Sequence, residues 1–237
     1  MGASEDLRAA IFLNGEYEPE HLAFYRRAAE RPNVLIICAD GALEWWNEWL
    51  GDLTPHWAVG DFDSLSPATR RRWEERGTRF DSVVEPQRAK EDYTDGELAL
   101  YAAAREGCLR AELYGAFPRR GEFQRDHFLG NLYLLAEAIT LNPPLEAILC
   151  APRERVYCCR EEIVLRREGT EINRVSLLPL FGAGRIVLSE GLRWSLNGLR
   201  LDPFRPNALR NEFLPGADRV LLRLEEGSPP VLVVHNW

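Results

Sequence analysis

The sequence predicts an α/β fold: an N-terminal domain built on a mostly parallel sheet with helices on both faces, then a smaller all-β domain. Three observations carry this expectation. Through Cys150, compact apolar runs alternate with helix-length amphipathic stretches, the pattern of successive βαβ units. Beyond Cys150 the chain becomes a series of short strand-like runs punctuated by Gly, Pro and Asn. Between the two, Asn142-Pro143-Pro144 marks a turn where the character begins to change. The expected division is an α/β domain over 1–145 and a β-sandwich-like domain over 146–237.

The elements follow from local pattern. Residues 9–13 read as a strand and 20–30 as a helix. Residues 34–38 are a continuous Val/Leu/Ile run ending in Cys38, the composition of a strand buried on both faces. A helix is expected over 42–50 and a short strand over 57–59; Pro67 opens a further helix, at the position where proline is tolerated. Residues 79–84 read as a strand, and 94–106 as a helix with apolar Leu98, Tyr101 and Ala102 at helical spacing. A strand over 111–114, an apolar helix over 128–139 and a strand over 145–150 complete the first part. Strands over 156–159, 162–165, 176–180, 184–188, 220–224 and 231–234 make up the second.

Composition narrows the function classes. With 237 residues and 46% apolar content the chain can bury a substantial core. A formal net charge of −8 lacks the electrostatic footprint of a nucleic-acid binder, and an acid excess also serves solubility. The N-terminus has no basic segment followed by an apolar run, and no apolar stretch approaches the roughly 18 residues of a membrane helix. Cys38, Cys108, Cys150, Cys158 and Cys159 are odd in number and form no Cys-x-x-Cys pair. Buried thiols in a reducing cytoplasm are the expectation. The four histidines are scattered and give no zinc signature.

Three segments can carry chemistry. Gly60-Asp61-Phe62-Asp63-Ser64 follows a strand, and carboxylates beyond the carboxyl end of a parallel strand suit a hard cation with open positions for phosphate oxygens. A solvated turn is the equal alternative, since Asp, Gly and Ser favour turns. Lys90-Glu91-Asp92-Tyr93-Thr94-Asp95 precedes a helix; Thr94 with Glu97 fits a capping box, which leaves Lys90 and Asp92 unexplained. Four carboxylates at two strand ends repel unless a cation joins them, so a shared metal site is the economical reading. The third segment, from Gly115 through Arg119, Arg120 and Arg125 to Asp126-His127, offers loop amides, a helix start and guanidinium groups to a polyphosphate, or is simply a solvated basic loop. Neither Gly-x-Gly-x-x-Gly nor a Gly-Lys-Ser/Thr phosphate loop occurs.

Taken in order, Ala39-Asp40-Gly41, Gly60-Asp61-Phe62-Asp63-Ser64, Lys90-x-Asp92-x-Thr94-Asp95, Asp126-His127-x-x-x-Asn131 and Gly191-Leu192-Arg193-Trp194-Ser195-Leu196 resemble the motifs of the thiamine pyrophosphokinase family. The resemblance implies an α/β catalytic domain that binds nucleotide and Mg²⁺, and a β domain for thiamine binding and dimerisation. It implies pyrophosphate transfer from ATP to the hydroxyl of thiamine, giving thiamine diphosphate and AMP, in a cytoplasmic homodimer with the site at the interface. Asp61, Asp63, Asp92 and Asp95 would form the acidic Mg²⁺ and phosphate region. Asp40, Gly41, Ser64, Lys90, Thr94, Arg125, Asp126 and His127 would attend the nucleotide, and Trp194 and Asn211 the thiamine. Arg210 stands where the family has a small serine, and the loop before Asp126 is longer than the family's Gly-Gly-Arg-x-Asp-His. A pyrophosphokinase for another hydroxymethyl acceptor such as a pterin, and a non-catalytic nucleotide- or thiamine-binding protein, are the alternatives.

Overall fold

The structure, a computed structural model, describes residues 7–81, 93–117 and 125–237. It divides into two compact units, Met1–Pro152 and Arg153–Trp237. The first contains β1 (Arg8–Phe12), α1 (Leu22–Ala29), β2 (Val34–Ala39), α2 (Ala42–Trp49), β3 (Trp57–Val59), α3 (Pro67–Glu75), β4 (Arg79–Asp81), α4 (Asp95–Arg105), β5 (Arg110–Tyr114), α5 (Arg125–Ala138) and β6 (Glu146–Ala151). The strands lie in the order β4-β3-β2-β1-β5-β6, and every neighbouring pair is parallel. All but the first residue of β1 and of β2 are buried, as the continuous apolar runs require of strands covered on both faces.

The order of these strands positions the site. The chain steps from β1 outward to β4, then returns through α4 to lay β5 against the other side of β1. Since βαβ crossovers are right-handed, the reversal puts α4 and α5 on the face opposite α1, α2 and α3. The loops leaving β1 and β5 stay packed together as far as Gly15 and Gly115, and a crevice lies beyond the carboxyl ends of the strands at this switch. Tyr17 bridges the ends of β1 and β5, its hydroxyl donating to Leu13 O at 2.5 Å and lying 3.2 Å from Tyr114 O. Its ring stacks on Trp45, centroids 4.0 Å apart.

Helix ends follow the sequence. Ser66 caps α3 by accepting from Thr69 N, with Pro67 in the first turn. The Thr94–Glu97 capping box forms in full at the start of α4. The helix expected from residue 128 begins earlier, at Arg125. Strand β6 belongs to the first unit, so the division falls after Pro152 rather than at the expected 145. The reason is register: β6 pairs in parallel with β5 from Arg110↔Glu146 to Leu113↔Leu149 and extends the first sheet.

The second unit is all-β. It holds β7 (Glu154–Cys159), β8 (Glu162–Arg166), β9 (Arg174–Leu178), β10 (Gly184–Glu190), β11 (Arg200–Leu201), β12 (Asn211–Glu212), β13 (Arg219–Leu224) and β14 (Val231–Asn236). They form two antiparallel arrays, β12-β9-β14-β7 and β11-β10-β13-β8. Leu165, Ile186 and Val220 from one array meet Val175, Leu177, Val231 and Val233 from the other in a single buried cluster, a sandwich core. The two-residue strands β11 and β12 carry too little pattern for sequence to reveal. The five cysteines are free thiols, and four are buried. Among the described residues no helix is long and apolar enough to cross a membrane.

Candidate active site

The carboxyl end of β2 meets that of β3. The parallel register pairs Ala39 with Val59, and Asp40 N donates to Val59 O at 2.8 Å. Asp40 and Gly60 therefore stand side by side. Gly60 has φ 134°, a conformation few side chains tolerate, and a Cβ there would lie 2.9 Å from Asp95 Oδ1 and 3.0 Å from Asp40 Cβ. The missing side chain is what lets Asp40, just after β2, and Asp95 from the first turn of α4 close on the same backbone. Gly41 serves space of another kind: a Cβ would meet the Asn14 side chain at 2.6 Å.

Carboxylate oxygens of Asp40, Asp61 and Asp63 lie within 4.8 Å of one another. Asp63 N donates to Asp61 Oδ1 at 3.2 Å, and Ser64 Oγ donates to Asp63 Oδ1 at 3.0 Å. Asp61 and Asp63 are exposed, whereas Asp40 is 5% exposed. Asp40 Oδ1 is buried without a hydrogen-bond partner. A buried carboxylate oxygen left unpaired is costly, and a divalent cation would satisfy it. Three convergent oxygen ligands suit Mg²⁺, a hard ion that keeps further positions for water or phosphate. The residues present therefore fit the ion.

These groups border a cleft of about 870 Å³ along the switch. Asp40, Asp61, Ser64, Thr94 and Asp95 line its acidic side, and Asp126 and His127 from α5 its other side. The site residues expected from sequence on both sides thus come to one cavity. Asp63 joins through the carboxylate cluster, and Gly41 through the room it leaves for Asn14. Lys90, Asp92, Arg119 and Arg120 lie outside the described residues. Arg125 opens α5 and is exposed. Asp40, expected beside the nucleotide, stands within the carboxylate cluster itself.

Several lining residues were not anticipated. Asn14 and Gly15, after β1, carry no motif; knowledge that β1 is the central strand of the order would have pointed to them. Asn131, present in the motif without a role, donates from Nδ2 to Ala116 O at 2.8 Å and ties α5 to the loop after β5. Glu137 also lines the cleft and accepts from Tyr101 Oη at 2.5 Å. Burial and this bond raise the Tyr101 phenol above its ordinary range.

In the second unit, Asn211 is buried and its amide is engaged by backbone. Nδ2 donates to Trp194 O at 2.7 Å, while Oδ1 accepts from Trp194 N at 3.2 Å and Glu212 N at 2.9 Å. Trp194 is 53% exposed, with the Arg193 guanidinium 4.9 Å from its ring centroid. Arg210, at φ 54°, donates its amide to Ser176 Oγ at 2.9 Å.

Fold and site define an α/β protein with a carboxylate cluster beside a cleft at its strand ends, followed by a β-sandwich. Residues 28–147 match the family model described as thiamin pyrophosphokinase, catalytic domain, and the chain belongs to that family, a family of transferases. Its fold is similar to thiamine pyrophosphokinase from Bacillus subtilis, with a TM-score of 0.74 at 19% identity over 97% of this chain and 98% of that one. It is also similar to the enzyme of Candida albicans, with a TM-score of 0.72 at 14% identity over 98% of this chain and 89% of that one. The yeast enzyme aligns with a TM-score of 0.70 at 16% identity over 99% and 87%. At such identities the likeness is one of fold. No curated protein sequence matches the chain.

Proposed function

We propose that this protein transfers the pyrophosphoryl group of ATP to the hydroxyl of thiamine, giving thiamine diphosphate and AMP. The observation that carries the reading is the convergence of Asp40, Asp61 and Asp63 beside a cleft at the switch of the sheet, in a chain of this family. Asp40, Asp61 and Asp63 would hold Mg²⁺, with Asp95 beside them; the family resemblance adds Asp92 to this acidic region. The ion supplies neutralisation of phosphate charge. The protein's own share is positioning, the dominant contribution in phosphoryl transfer.

The first turn of α4 presents its helix N-terminus to the cleft, favourable for phosphate oxygens. Ser64, Thr94, Asp126 and His127, which line the cleft, attend the nucleotide, and the family resemblance adds Lys90 and Arg125 to that role. Asp95, against Gly60 and next to the triad, takes the proton from the attacking hydroxyl. In the β unit, Trp194 offers an exposed ring to the aromatic, cationic acceptor. Asn211 acts on thiamine through the Trp194 backbone that it clamps. The reading includes a cytoplasmic homodimer whose site draws on both chains.

The test is AMP formation from ATP with thiamine or a hydroxymethylpterin as acceptor, with and without Mg²⁺. Turnover with thiamine and Mg²⁺ is expected. Turnover with the pterin alone would reassign the acceptor, and binding without AMP formation would make the protein a non-catalytic one.

A further inference from the structure

Asp61 and Asp63 flank a residue of unusual conformation. Phe62 has φ 63°, in the left-handed region where Cβ crowds the following carbonyl and bulky side chains are rare. Such a conformation persists where its surroundings over-determine it, and such positions gather at functional sites. The surroundings here are specific. The Phe62 ring meets the Phe80 ring of β4 edge to face, centroids 5.3 Å apart at 63°. The Arg70 guanidinium of α3 lies 5.3 Å from the Phe62 centroid and 5.4 Å from that of Phe80. Arg70 is itself held by Glu74, its Nε donating to Oε1 at 2.9 Å.

Phe62 is not among the residues that line the cleft. Its backbone nevertheless sets the turn between two that converge there: Phe62 O accepts from Leu65 N at 3.3 Å, and Asp63 N bonds back to Asp61 Oδ1. The ring is the only apolar side chain between Gly60 and Ser64; half-buried, it fastens this stretch to Phe80 and Arg70, while the buried Leu65 anchors the chain just beyond it. Asp61 and Asp63, both exposed, have no burial of their own to fix them.

We propose that Phe62 is a positioning residue: seated against Phe80 and Arg70, it holds Asp61 and Asp63 in convergence on Asp40 and thereby sets the affinity of the triad for a divalent cation without touching the ion. The proposal rests on the reading that the triad holds Mg²⁺. Groups that orient ligands from behind change metal affinity by about 10- to 100-fold when removed, and a loss of that size is expected on deleting the ring.

The experiment is calorimetric titration of the full chain with Mg²⁺ alone. Phe62→Ala should weaken binding by about 10- to 100-fold, and Phe62→Tyr, which keeps the ring, should bind as the parent does. Phe62→Gly separates anchor from strain: glycine accepts the left-handed backbone freely, so a ring-based role requires it to lose affinity as Ala does. Arg70→Ala, at an exposed position, should weaken binding in the same direction and decides the matter should Phe62→Ala fail to fold in a thermal melt. Asp61→Asn is the control for the triad. Parent-like affinity in Phe62→Ala or Phe62→Gly, with binding lost in Asp61→Asn, overturns the positioning role and leaves the cation site standing. Absence of Mg²⁺ binding by the parent overturns both.

Discussion

Replacing Asp40 by Asn should stabilise the protein in the absence of metal and remove its response to metal. Three carboxylates with oxygens within 4.8 Å of one another repel. At that separation one pair costs about 0.9 kcal/mol in water and about 3.5 kcal/mol at the effective dielectric of a protein surface. Asp40→Asn relieves two such pairs and keeps the side chain's shape. Because Asp61 and Asp63 are exposed, the lower figure governs, and a gain of about 2 kcal/mol is expected. For a chain of this size that is a rise in Tm of roughly 4–8 °C. The parent in turn gains about 2.7 kcal/mol when Mg²⁺ reaches a hundred times its dissociation constant; the variant, missing a ligand, gains little. The two melting curves should therefore change order: variant above parent in EDTA, parent level with or above variant in saturating Mg²⁺. Calorimetric melts of both proteins in the two buffers make the comparison. A variant that melts below the parent in EDTA would refute the repulsion argument, and one that keeps the full Mg²⁺ shift would refute the assignment of Asp40 as a ligand.

Two further outcomes follow from geometry. A Cβ on Gly15 would lie 1.8 Å from Gly115 O, a backbone atom that cannot swing aside; Gly15→Ala should cost about 1–3 kcal/mol in urea unfolding and lower nucleotide affinity, and parent-like values for both would show that the loops part without consequence. His235 is 1% exposed; burial first, then the charge of Arg155, lowers its pKa to about 4. The folded imidazole stays neutral while the unfolded chain takes up a proton below about pH 6.5. Its contribution is whole above that pH and is lost as pH falls toward 4, by roughly 3 kcal/mol in all. An NMR titration giving His235 an apparent pKa near 6.5 would contradict this.

The sequence reveals those parts of the fold whose physics is local. Two-sided burial made β1 and β2 conspicuous, the Thr94–Glu97 box announced α4, and Pro67 announced α3. Strands β11 and β12, two residues each, exist through partners distant in the chain and have no periodicity of their own. The site divides in the same way. Asp61 and Asp63 are visible as a pair because they are neighbours. Asp40 joins them only through the register of β2 against β3, and Asn14 and Gly15 only through the central place of β1. Asn211 is expected near thiamine through the family resemblance, and its buried clamp on Trp194 emerges only from packing, since a sequence shows an amide and not what it bonds.

The path of the chain through its first sheet has a consequence for synthesis. The triad comes entirely from residues 40–63, whereas the facing wall comes from Gly115 to Glu137. At roughly 5–20 residues per second, the acidic half leaves the ribosome several seconds before the strand and helix that enclose it. The carboxylate half of the site is thus encoded as a local piece of chain; the facing wall waits for the return crossover. A nascent chain therefore carries all three carboxylates before it carries the wall that faces them.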